Sequence, residues 1–338
     1  MAKKKRRSPP GRFLYGLRYR IGEHMLRGFI AVLPRIPQRR RLALTGFLAR
    51  ITFIVLWRFR RRMDENVAAA IGRECLDGAE RKKLVWRAWM NFARGMLDTA
   101  EAMYFSRGHV LSTVALEGEE HIRRALEKGR GVLALSAHLG AFTMIGPRLA
   151  AAGFPFSVVV KQPGDERFAR LIDGYRAQIG VHTISAKPRR EAVRGILKAL
   201  RENRIVLVIA DEFKSGDVMV DFLGLKVPAP RGPATLALRT GAVTLPMFAV
   251  RQPDGSLTLA VGAPLSPVER ADLEESVVAT TAVYTRHLET AIRRHPDQWN
   301  WLGLPRRDAG RSRANVAMRR KKRRGRGRSD RIGSDTAL

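Results

Sequence analysis

The run Val132-Leu133-Ala134-Leu135-Ser136-Ala137, followed at once by His138, Leu139 and Gly140, constrains this chain more than any other stretch. Its length and almost unbroken hydrophobicity predict a strand covered on both faces. From Ala141 to Leu149 the apolar groups recur at helical spacing, so His138 falls on a strand-to-helix turn. In an open α/β sheet such a turn lies at the carboxyl edge, where ligand sites are built. An imidazole there can act as a general base near neutral pH. It can equally be a structural histidine with both ring nitrogens satisfied inside the fold, and placement alone leaves both readings open.

Further short apolar runs extend the pattern. Strands are expected at Val114 to Gly118, Phe156 to Val160, Ile205 to Glu212, Val243 to Val250 and Ser256 to Val261. Helices are expected at Glu119 to Glu127, Glu166 to Ile179, Glu191 to Glu202, Leu236 to Thr240 and Ser276 to Arg294. Helices alternating with strands predict an α/β domain over residues 111–305, with a mixed, largely parallel sheet flanked by helices.

Before that domain, residues 13–110 read as an N-terminal helical region rich in apolar residues and arginine, interrupted at Pro34 and Pro37. The most apolar piece, Leu42 to Trp57, is slightly shorter than the roughly 20 residues of a membrane span. Arg50 at its centre costs about 2.5–3.5 kcal/mol on insertion scales. Arg39-Arg40-Arg41 and Arg58 through Arg62 flank it with cations suited to anionic headgroups. A helix lying partly immersed in the interface, a true span and a soluble packing helix all remain open, the first being favoured.

Both ends are basic. Residues 1–12 and 306–338 are expected to be disordered tails, since like charges repel and apolar groups are scarce; Pro9 and Pro10 argue against helix initiation in the first. A broken apolar stretch after the Lys3 to Arg7 cluster argues against a cleaved signal peptide. The formal net charge of +32 implies polyanionic contacts: anionic lipid, an acidic carrier protein or nucleic acid. The apolar N-terminal helices favour anionic lipid over nucleic acid. The single cysteine, Cys75, excludes an internal disulfide, and the seven histidines show no ligand spacing for a metal.

Several ordered blocks then point to one family. They are Gly131 to His138, Ile209-Ala210-Asp211, Val220 to Gly224, Pro228 to Ala242 with Pro246 beyond it, and His295-Pro296-Asp297-Gln298-Trp299-Asn300-Trp301. Together they resemble the lysophospholipid acyltransferase superfamily, in its lipid A (lauroyl/myristoyl) acyltransferase branch. The run Arg61 to Val67 resembles the Arg-rich, Asn-containing helix that precedes the catalytic domain there. The resemblance implies a glycerolipid-acyltransferase-like fold and transfer of a fatty acyl group from an acyl thioester to a hydroxyl of a lipid or glycolipid. It implies no bound cofactor, with acyl carrier protein or coenzyme A carrying the co-substrate. The expected location is the cytoplasmic face of the inner membrane.

In that chemistry His138 takes the proton of the attacking hydroxyl, and an acidic neighbour holds its tautomer. The family places this acid five residues after the histidine, where this chain has Thr143. Asp211, or failing it Glu212, at the end of another core strand is the expected substitute, giving His138 and Asp211 as the catalytic pair. The second acid of the Asp211 motif is replaced by Phe213, and the arginine expected before Pro163 is Gln162 with Lys161 beside it. Lys161, Arg231 and Arg239 are expected to contact phosphate or carrier; for Arg239 a pairing with a nearby acid is an equal alternative. Two other readings stand beside the enzyme: a degenerate, catalytically weak fold that binds lipid, and a polyanion binder working through its tails.

Overall fold

The computed structural model describes residues 9–72, 75–104, 106–214 and 216–305. The expected C-terminal tail, 306–338, and the first eight residues of the N-terminal one lie outside them. Among the described residues the chain opens with α1 (Pro9–Val32), which passes through a 3-10 turn at Leu33–Arg35 into α2 (Gln38–Val55) and α3 (Trp57–Ala70). Helix α1 therefore begins at Pro9, against the expectation that the two prolines suppress helix there. A missing N–H and a fixed φ are no obstacle in a first helical turn.

Next come α4 (Gly78–Ala102) and α5 (Arg107–Thr113), the latter running straight into β1 (Val114–Glu117) across the expected boundary at 110. Asp77 starts α4 with a capping box, accepting from the N–H groups of Ala79 and Glu80 while Glu80 reaches back. The α/β part continues with α6 (Glu119–Glu127), β2 (Val132–Ser136), α7 (Ile145–Ala151), β3 (Phe156–Val160), α8 (Glu166–Gln178), β4 (Val181–Ser185), α9 (Arg189–Arg201) and β5 (Ile205–Ile209). It ends with β6 (Val218–Phe222), β7 (Leu225–Ala229), α10 (Gly232–Thr240), β8 (Val243–Arg251), β9 (Leu257–Val261) and α11 (Leu273–Arg294).

The main sheet has the order β1-β9-β8-β2-β5-β3-β4, and only the β8/β9 pair is antiparallel. The mixed, mostly parallel α/β sheet thus agrees with the sequence. Strand β4 and the β6/β7 hairpin were not expected. Strand β4 (Val-His-Thr-Ile-Ser) is too polar to stand out, and β6 alternates because one face is exposed.

Alternation along β2 sends its side chains into two cores. Leu133 and Leu135 join a cluster with α9, α10, α11 and residues of α3 and α4, while Val132 and Ala134 pack with α6 and α7. Met63, Val67, Val85 and Ala88 belong to the first cluster, so the N-terminal helices share the core of the sheet.

Helices α2 and α3 meet at an 85° bend. Among the described residues no single helix is long and apolar enough to cross a membrane, although the bent pair passes that test by length and composition. Ile54, Val55 and Trp57 at the bend are 68%, 66% and 49% exposed. Of the flanking arginines Arg39, Arg40 and Arg58 are exposed, but Arg41 is not. It is buried in an ion pair with Glu101 at 2.9 Å and donates to the Tyr104 hydroxyl, so the expected headgroup cation is a structural one. Arg62 is likewise occupied, donating to the carbonyls of Leu302 and Leu304.

Candidate active site

Strands β2 and β5 are parallel neighbours, with Ser136 opposite Ile209, so the residues that follow them emerge side by side. His138 follows β2 and Asp211 follows β5. Their side chains meet: His138 Nδ1 lies 2.8 Å from Asp211 Oδ1. The other oxygen, Oδ2, accepts the backbone N–H of His138 at 2.9 Å and the indole N–H of Trp299 at 2.7 Å. Asp211 is completely buried, whereas the His138 side chain is 26% exposed, which leaves part of its ring open to an incoming group. The His138 ring also stands edge-on to Phe142, with centroids 4.9 Å apart.

The electrostatics favour a retained proton on this ring. Burial pulls the His138 pKa down, but the hydrogen bond and charge of Asp211, with a smaller push from Glu212, outweigh burial and an opposing Lys214. The net movement is upward from the ordinary histidine value. Because a carboxylate only accepts, Nδ1 is the protonated nitrogen in the neutral ring and Nε2 carries the free lone pair.

The turn itself requires glycine at 140. Its φ is +59°, and a Cβ there would lie 2.2 Å from the Ala249 carbonyl oxygen. That close approach lets Ala141 N–H donate to the same carbonyl at 2.8 Å, fastening the turn to β8.

Thr143 does not face the imidazole as a partner. Its hydroxyl is hydrogen-bonded to that of Thr99 on α4, with 2.5 Å between the oxygens. Of the two carboxylates at the end of β5, Asp211 supplies the contact while Glu212 is exposed and influences the ring only through its charge. Phe213, in the place of the second acid, is fully buried against Phe222 with ring centroids 4.4 Å apart.

The expected phosphate contacts scatter. Lys161 is exposed just past β3, two strand spacings from β2, or roughly 10 Å along the same edge. Its neighbour Gln162 donates to Asp173 of α8 at 2.6 Å. Arg231, at the start of α10, grips Glu274 with both terminal nitrogens, at 2.9 and 2.5 Å. Arg239 is exposed in the last turn of α10, which leads into the start of β8; since β8 runs parallel to β2, that is the amino edge, opposite His138. Position in the chain gave no sign of this, because Arg231 and Arg239 lie one helix apart.

Sequence reasoning also missed an open apolar cavity of about 530 Å³ lined by α2, α3 and α4. Leu48, Ala49, Met63, Ala93 and Leu97 are among its lining, as are Phe29 of α1 and Asn300. Asn300 ties it to the site, because its backbone N–H donates to the His138 carbonyl at 3.0 Å. The stripe of small and apolar residues on α4 could have signalled a hollow, but such a stripe is indistinguishable in sequence from ordinary core. No group of three or more His, Cys, Asp or Glu side chains among the described residues is arranged to hold a metal.

Comparison with known proteins points to one family. The chain is 24% identical over 243 residues to a phosphatidylinositol mannoside acyltransferase of Mycolicibacterium smegmatis, covering 71% of this chain and 77% of the relative. It is 29% identical over 188 residues to a phosphatidylinositol mannoside acyltransferase of Mycobacterium tuberculosis, covering 55% and 57% respectively. With the lipid A biosynthesis lauroyltransferase of Escherichia coli it shares 24% identity over 226 residues, 66% of this chain and 71% of the relative. Residues 15–306 match the model of one family throughout. The chain therefore belongs to the bacterial lipid A biosynthesis acyltransferase family.

Proposed function

We propose that this protein is an O-acyltransferase that moves a fatty acyl group from a thioester to a hydroxyl of a lipid or glycolipid at an anionic membrane surface. The observation that carries the reading is the 2.8 Å contact between a part-exposed His138 and a fully buried Asp211. In the reaction His138 Nε2 takes the acceptor hydroxyl proton as that oxygen attacks the thioester carbonyl. The tetrahedral intermediate then collapses, the C–S bond breaks, and the imidazolium returns its proton to the departing sulfur. Asp211 acts through the ring, fixing the Nδ1–H tautomer and stabilising the transient imidazolium.

The cavity between α2, α3 and α4 suits the acyl chain. It is apolar, lies within the size range of small-molecule pockets, and meets the His138 turn at Asn300. The helices that wall it also carry the exposed apolar bend at Ile54 to Trp57, which gives an acyl chain an apolar approach to the cavity from a bilayer. Exposed Arg58 beside that bend, and exposed Arg39 and Arg40 at the far end of α2, suit anionic headgroups or an acidic carrier, and Lys161 suits a phosphate near the thioester or acceptor. The cytoplasmic face of the inner membrane is the corresponding location. The alternative of a lipid-binding relic draws on Thr143 and Gln162; the contact of Asp211 with His138 answers the first of these and supports the enzyme reading.

The test is acyl transfer by the full chain in membranes. Radiolabelled acyl carrier protein or coenzyme A thioesters are offered with glycolipid and lysophospholipid acceptors. Ester formation that disappears in His138→Ala supports the proposal. Unchanged turnover in that variant sinks it.

A further inference from the structure

The C-terminal block around Trp299 has no place in the reaction as written, yet it touches both halves of the dyad. Residues 298–303 run against the two turns that carry His138 and Asp211. The Gly140 N–H donates to the Gln298 carbonyl at 2.9 Å, and Asn300 N–H donates to the His138 carbonyl. Phe213 N–H donates to the Gly303 carbonyl at 3.2 Å, and a Cβ on Gly303 would sit 2.7 Å from the Asp211 carbonyl oxygen. The Gln298 side chain clips the segment to the end of β8, accepting from Arg251 N–H and donating to Arg251 C=O. Within this strap only one side chain reaches the carboxylate itself. Trp299 is fully buried, its ring caged by Phe222 and Trp301, and its N–H points at Asp211 Oδ2.

We propose that Trp299 is a positioning residue for the dyad: its indole N–H, together with the His138 backbone N–H, occupies Asp211 Oδ2 and leaves Oδ1 alone to serve the imidazole. This inference rests on the acyl-transfer reading of the site. The physical consequence is a tuned base. A donor on Oδ2 draws off part of the charge of the carboxylate and places the positive end of a dipole near the ring. Without it, Asp211 would hold the proton on His138 more tightly. The charged groups facing the ring are Asp211 and Glu212, which strengthen that hold, and Lys214, which weakens it. Trp299 adds a neutral donor that, like Lys214, weakens that hold, buried in an aromatic cage where a dipole is poorly screened.

The experiment titrates His138 directly, so that it does not depend on turnover. Full-length protein carrying ¹³Cε1-histidine is reconstituted in nanodiscs, and the His138 signal is identified by its loss in His138→Gln. In Trp299→Phe the His138 pKa should rise by about half a unit or more. Acyl transfer at neutral pH should fall several-fold and recover above the shifted pKa, whereas a merely structural lesion lowers the rate at every pH. Should Trp299→Phe fail to fold, benzothienylalanine placed at 299 replaces the N–H with sulfur at constant shape and should give the same rise. An unmoved His138 titration in the folded isostere overturns the assignment. Asp211→Asn separates the two levels: if it fails to lower the His138 pKa, the dyad itself is refuted, whereas a lowered value beside an unmoved Trp299 variant rejects only the role of Trp299.

Discussion

The carboxylate of Asp211 stands 2.8 Å from Nδ1 of His138, although 73 residues separate the two in the chain. Adjacent parallel strands of equal reach place them together, and the sheet register fixes the distance. Asp211→Asn should therefore behave as the loss of an orienting acid, lowering kcat by about 10²–10⁴, the upper figure being that of serine-protease triads. Single-turnover acyl transfer with saturating thioester measures it. A rate within threefold of wild type would contradict the pairing.

The pH dependence has a definite sign. A general base must be free of its proton, and the His138 pKa lies above the ordinary value, so kcat/KM should fall as pH drops through that raised pKa. In Asp211→Asn, burial acts unopposed by the partner and the acid limb should move to lower pH. Stability follows by linkage. The raised folded-state pKa stabilises the native protein fully below the unfolded-state value, and this contribution is lost as pH rises through the folded-state value. Melting curves of wild type and His138→Ala should thus differ more at acidic than at alkaline pH.

Thr143 bonds to Thr99 rather than to the ring, so Thr143→Ala should cost about 1 kcal/mol of stability and leave the pH profile in place. Thr143→Glu should bring no gain in rate, because Asp211 already occupies Nδ1. A profile displaced by Thr143→Ala would show that the hydroxyl serves the histidine after all.

Ala93 lines the apolar cavity with room beside it. Ala93→Phe should shift donor preference toward shorter acyl chains, by roughly fourfold in kcat/KM for each methylene left outside. Competition between thioesters of graded length provides the readout. A preference that stays constant would remove the chain from this cavity.

Asn66 of α3 is buried and donates to the Trp301 carbonyl at 2.5 Å, tying the N-terminal helices to the strap beside the dyad. Asn66→Ala leaves that carbonyl unsatisfied and should destabilise the protein by about 1–3 kcal/mol. Thermal unfolding in detergent should register a loss of several degrees, while exposed Met219→Ala serves as a control with little effect.

Much of the α/β architecture was written in local pattern. Strand β3 falls on its apolar run, α6 on its amphipathic one, and β2 ends two residues before the histidine, because burial on two faces demands continuous hydrophobicity. The sequence alone also pointed to His138 and to the likeness carried by its ordered blocks, since a strand-to-helix turn is a local event. What chain order could not decide was who meets whom. Thr143 is five residues from His138 and turns away to Thr99; Trp299 is remote in sequence and reaches the same carboxylate. Arg41 and Arg62 read as surface cations until packing showed them bound within the protein, and Arg239 lies at the wrong edge for His138 because α10 spans the sheet. Hydropathy reports which groups leave water. Only strand order, register and helix direction determine which of those groups come within a hydrogen bond of one another.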